Sequence, residues 1–116
     1  MTLLEPGTAV ATRLLGLSHD TVPEGQRVEG APATGALELG SVGGLDLGVW
    51  EMTEGAMRDV ETDEVFVVVA GRASVAIDGY DEPLTLEPGV IARLQEGMRT
   101  VWTVTEPLRK VYVLGR

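Results

Sequence analysis

The sequence has no cysteine and only one histidine, His19. Without cysteine, disulfides and zinc–thiolate sites are both excluded. Basic residues are also scarce, 9 against 18 acidic ones, for a formal net charge of −9. A nucleic-acid binder needs positive charge to neutralise phosphates, so that class is excluded, and binding to an anionic membrane is disfavoured for the same reason. No apolar run approaches the roughly 20 residues that span a bilayer. The N-terminal stretch MTLLEPGTAVATRLLGL has no basic lead, and Glu5, Pro6 and Gly7 interrupt it. It does not read as a signal peptide, and a cytoplasmic chain is expected. No glycine-rich phosphate loop leads into a helix. Aromatic residues make up only 4% of the chain, with two tryptophans, two tyrosines and one phenylalanine.

What is present is a chain of 116 residues, 44% hydrophobic, punctuated by glycine. That length fits one domain with its own core. Turn signals at Gly43-Gly44, Gly55, Gly71, Asp78-Gly79, Pro88-Gly89 and Gly97 separate short runs rich in valine, leucine and isoleucine. This rhythm predicts an all-β sandwich or barrel. The expected strands are 36–39, 47–53, 65–69, 73–78, 83–86, 90–94, 100–105 and 110–114. Asp78-Gly79 is expected to turn a hairpin because both residues tolerate positive φ. Pro83 is expected at a strand start or edge. No segment keeps a helical period, and a short helix or turn near residues 10–17 stays open. Residues 1–35 read as an N-terminal arm and irregular lead-in, and 36–116 as the barrel.

Several stretches together resemble the cupin superfamily. They are GVWEMTEG (48–55), DEVFVVVAGRASV (63–75), LEPGV (86–90) and VTEPLRKVYVL (104–114), preceded by VEGAPATGALELG (28–40). Their order and spacing are similar to the small single-domain cupins related to ureidoglycine aminohydrolase. The resemblance implies a conical β-barrel of jelly-roll type (a double-stranded β-helix) with a central pocket, and commonly a homodimer. It also implies a metal site of two histidines at i and i+2, a glutamate four residues after the second, and a later histidine. Aligned on Glu64, those histidine positions hold Arg58, Val60 and Thr100. Valine cannot ligate, and arginine brings a positive charge to a cation's place. The glutamate is kept and every histidine is replaced.

Strand alternation then sorts the side chains. Glu64, Phe66 and Val68 are expected to face the pocket, with Arg58 and Val60 across the preceding bend. Thr100, Trp102 and Val104 share a parity of their own. Asp59, Glu61 and Asp63 are expected to face water. The facing of Arg93 and Lys110 stays open. An Arg58–Glu64 ion pair is expected inside the pocket, with both residues as candidate catalytic groups. Trp50, Met52, Phe66, Thr100, Trp102 and Tyr112 complete the candidate ligand-binding set, while Met57 and Met98 read as packing. His19 lies in Ser18-His19-Asp20, but adjacent residues cannot converge as a catalytic triad does. The reading is a small-molecule-binding cupin without the usual metal site and with no cofactor. Whether it is a metal-independent enzyme on a small polar or anionic metabolite stays open. The alternatives are a metal-dependent, aminohydrolase-like enzyme and a structural partner protein.

Overall fold

The computed structural model describes residues 2–115; Met1 and Arg116, the end points of the predicted arm and barrel, lie outside the described residues. A single 3-10 turn, Thr12–Leu14, precedes the strands β1 (Asp20–Thr21), β2 (Arg27–Glu29), β3 (Ala33–Val42), β4 (Leu45–Met52), β5 (Gly55–Val60), β6 (Glu64–Ile77), β7 (Leu84–Leu86), β8 (Ile91–Leu94) and β9 (Arg99–Leu114). The fold is the all-β jelly roll that the glycine rhythm and the cupin resemblance predict. No helix among the described residues is long and apolar enough to cross a membrane.

Two long strands organise the barrel. β6 and β9 run antiparallel over nearly their whole lengths, from Glu64 opposite Leu114 to Ile77 opposite Thr100. One half of the pair carries β8 on β6 and β4 and β3 beyond β9. The other half carries β7 on β6 and β5 and β2 beyond β9. The register shifts between Val68 and Ala73 mark the corner where both strands pass from one half to the other. Strands that change sheets do so through such irregularities.

This corner corrects the expected strand pattern. Gly71 does not close a strand; β6 continues through it with φ +88. Likewise 100–105 and 110–114 are one strand, with Pro107 at the bend. The segment read as a bend before Glu64 is β5, paired to β9 from Gly55 opposite Val104 to Val60 opposite Arg99. Gly43 and Gly44 both have positive φ and turn the β3–β4 hairpin, as a two-residue primed turn requires. At Asp78-Gly79 only Gly79 has positive φ, and Tyr80 N–H donates to the Ile77 carbonyl at 3.0 Å. That is a turn with one left-handed residue, and the connection to β7 is longer than a tight hairpin.

The core fills the space between the two halves. Met52, Phe66, Val75, Leu86, Leu94, Trp102 and Leu108 are all essentially inaccessible. Burying each of the larger ones is worth about 1.5–3 kcal/mol. Outside the barrel, Arg109 holds the N-terminal segment. Its Nη1 donates to the carbonyls of Thr12 and Leu15, and its Nε and Nη2 engage Glu51. Glu51 also meets the His19 ring at 2.6 Å, so His19 belongs to this clasp.

Candidate functional site

Cross-strand partners share a face of a sheet, so the registers of β9 decide which side chains enter the barrel. Even-numbered residues of β9 on either side of the corner point inward: Thr100, Trp102, Val104, Leu108 and Lys110 are buried and Tyr112 lines the cavity, while Glu106 at the corner is exposed. Their partners follow. Asp59 is opposite Thr100 and Met57 opposite Trp102 on β5, while Trp50 and Val68 flank Lys110 and Gly48 and Phe66 flank Tyr112.

At the centre stands an ion pair. Lys110 Nζ donates to Glu64 Oε2 at 2.6 Å, and both side chains are 7% exposed. The same ammonium lies 4.7 Å from the ring centroid of Trp50, 4.5 Å from that of Phe66 and 4.6 Å from that of Trp102. Three π faces and a carboxylate hold this largely buried cation. Beside it Glu61 is buried, and its Oε2 accepts from Thr100 Oγ1 at 2.6 Å and Trp102 Nε1 at 3.0 Å. Asp59 lines the same space with Oδ1 bonded to the Val60 N–H at 2.8 Å. Trp50, Trp102 and Tyr112 supply the aromatic wall of this cavity of about 350 Å³.

The electrostatics follow from crowding acids in a desolvated space. Burial raises Glu64 above the usual carboxylate range, with Lys110 opposing. Burial also raises Asp59, and the Glu61 charge adds to it. Tyr112 is raised by burial and by the nearby Glu38, Glu64 and Asp46 carboxylates.

Of the expected site residues, Glu64, Trp50, Trp102 and Tyr112 line the cavity. Phe66 and Thr100 lie behind it, Phe66 against the ammonium and Thr100 against Glu61. Met52 is a fully buried core residue. Arg58 is a correction: it is exposed and does not line the cavity, lying with Asp78 and Arg99 in a second groove that shares Asp59 and Val60 with it, and the partner of Glu64 is Lys110. Val60 is exposed too, but unlike Arg58 it lines the cavity. Asp59 and Glu61, expected in water, face inward, and of that acidic run Asp63 alone reaches outward to Arg93 at 3.8 Å. The loop 61–63 between β5 and β6 resets the alternation, so counting back from Glu64 chose the wrong parity.

The cupin resemblance implies a metal, and the residues here fit one poorly. The inward positions hold Met57, Asp59, Glu61, Glu64 and Thr100, with the Lys110 ammonium already on Glu64. Among the described residues no group of three or more histidine, cysteine, aspartate or glutamate side chains is placed to hold a metal ion.

Residues 39–112 match the family model described as the EutQ-like cupin domain. Among solved structures, the EutQ protein of Clostridium difficile superposes with a TM-score of 0.71 at 19% identity, over 92% of this chain and 85% of that one. A protein of unknown function from Rhizobium leguminosarum bv. viciae 3841 gives 0.63 at 25% identity, over 71% and 80%. A putative ethanolamine utilization protein Q from Salmonella typhimurium LT2 gives 0.62 at 17%, over 86% and 95%. No protein of curated function matches.

Proposed function

The chain belongs to the EutQ-like cupin domain family, and from that premise we propose that it binds a small polar organic molecule, without a metal, in the barrel cavity that the Glu64–Lys110 pair lines. The observation that carries this reading is the pair itself. Taking two charges out of water is expensive, yet this pair opens onto a cavity lined by Trp50, Trp102 and Tyr112. Binding pockets combine such apolar walls with a few convergent polar groups. The expected anion clamp on Arg58 is set aside, since Arg58 points away from the cavity. The resemblance to ureidoglycine aminohydrolase offers a metal-dependent hydrolysis as the alternative, which the donor set does not favour.

A second reading has one specific support. Glu64 is raised by burial and touches a fixed ammonium, the setting in which a carboxyl group exchanges protons with a ligand. This makes a metal-independent acid–base enzyme the catalytic form of the same proposal.

The test is a thermal-shift screen of small polar metabolites. A ligand at about 100 times its Kd stabilises the fold by about 2.7 kcal/mol. At least one compound is expected to stabilise the wild type, in EDTA as well as without it. The double variant Glu64→Gln with Lys110→Met, which removes both members of the pair at once, is expected to fold and lose the response. A screen without hits, or hits indifferent to the double variant, rejects the site.

A further inference from the structure

The pocket is unbalanced in charge. Asp59, Glu61 and Glu64 face it together with a single cation, Lys110. Each carboxylate has one oxygen engaged and one left over. Glu64 uses Oε2 on Lys110, Glu61 uses Oε2 on Thr100 and Trp102, and Asp59 uses Oδ1 on the Val60 N–H. Neither Glu64 Oε1, Glu61 Oε1 nor Asp59 Oδ2 has a hydrogen-bond partner among the described residues. Among the described residues no three such side chains are grouped as a metal would need. Distributed acceptors beside aromatic faces suit a larger, softer cation that donates several hydrogen bonds.

We propose that the ligand of this cavity is a small organic cation, a primary ammonium or amidinium compound, held by the free oxygens of Asp59 and Glu61 with its apolar part against Trp50 and Tyr112. This rests on the reading of the cavity as a ligand site and adds its charge class. Lys110 then has a defined part. It neutralises Glu64 and leaves the other two acids, Asp59 and Glu61, for the ligand. Burial first, and neighbouring carboxylate charge after it, raise Asp59 and Glu64, and a cation arriving beside them opposes both effects.

The two tryptophans of the chain, Trp50 and Trp102, both line the cavity, so intrinsic fluorescence reports on it without a label. The experiment titrates the protein with three compounds of one shape, benzylammonium, benzyl alcohol and benzoate. Benzylammonium is expected to bind at least about tenfold more tightly than benzyl alcohol, the effect of one charge-assisted hydrogen bond, and benzoate is expected to bind worst. Glu61→Gln still accepts from Thr100 and Trp102, so it tests charge without removing the local bonds. Asp59→Asn is the second variant. Each is expected to erase most of the preference, read as the ratio of the benzylammonium and benzyl alcohol Kd values within the same variant. If benzoate or benzyl alcohol binds best, or if neither variant changes the preference, the charge assignment is wrong and the cavity remains a ligand site. If none of the three alters the fluorescence at any concentration reached, the ligand-site reading fails as well.

Discussion

Asp59 shows how one side chain couples the site to the stability of the barrel. It lies opposite Thr100, facing inward, and burial followed by the Glu61 charge raises it above its ordinary value near 3.8. A carboxyl raised in the folded state binds its proton more tightly there than in the unfolded chain. Its contribution to stability is then fully present below the ordinary value and is lost as pH rises through the raised one. Glu64 acts in the same direction, because burial outweighs Lys110. The wild-type melting temperature is therefore expected to fall as pH rises from about 4 towards neutrality. Other acids of this chain also ionise in that interval, so the decisive quantity is a difference. Asp59→Asn is expected to be more stable than the wild type at neutral pH, with the gap closing as pH falls. Parallel melting curves of both proteins across that interval check this, and a gap that widens on acidification contradicts it.

At the scale of the element, the corner shared by β6 and β9 sets the shape of the pocket. Gly71 has φ +88, and a Cβ there would lie 2.0 Å from the Pro107 carbonyl oxygen, a backbone atom that cannot step aside. Gly71→Ala is expected to cost at least about 2 kcal/mol, combining a left-handed backbone penalty with the displaced strand. Urea unfolding of the variant measures it, and a loss below about 0.5 kcal/mol would show that the corner yields freely. Gly48 plays the corresponding part at the mouth. The Tyr112 ring lies on it, so a side chain there would push the ring away. The sequence marks both places by glycine but does not say what glycine is for. Read as a turn, Gly71 splits one strand into two and discards the phase between them. Read as a corner, it keeps β9 continuous as well, and period two from Trp102 then carries Lys110 to the inside.

For the whole molecule, the open matter is association. The resemblance to small cupins implies a homodimer, and Leu14, Val42 and Ile91 are apolar side chains left 66–85% exposed. The net charge of −9 works against self-association, and salt screens it. Twice the chain mass is expected by light scattering at about tens of micromolar, a range suited to specific association, with the dimer fraction rising with ionic strength. A single chain mass at every concentration and salt level would refute it.

The sequence by itself determined the class of fold and the centre of the site. Glycine spacing and β-branched runs are local properties, and they sufficed for an all-β sandwich or barrel; the cupin resemblance then turned Glu64 inward, and period two carried Phe66 with it. The sequence also sufficed to exclude a histidine metal site, since ligand chemistry depends on residue type. The tertiary structure alone decided which charges meet. Period-two counting is reliable within one strand and fails across a loop of unknown geometry, so 61–63 moved Asp59 and Glu61 inward and Arg58 outward. Lys110 and Glu64 are 46 residues apart, and their contact exists only because β9 lies beside β6. Such pairing is a property of register, which no single strand carries in its own residues.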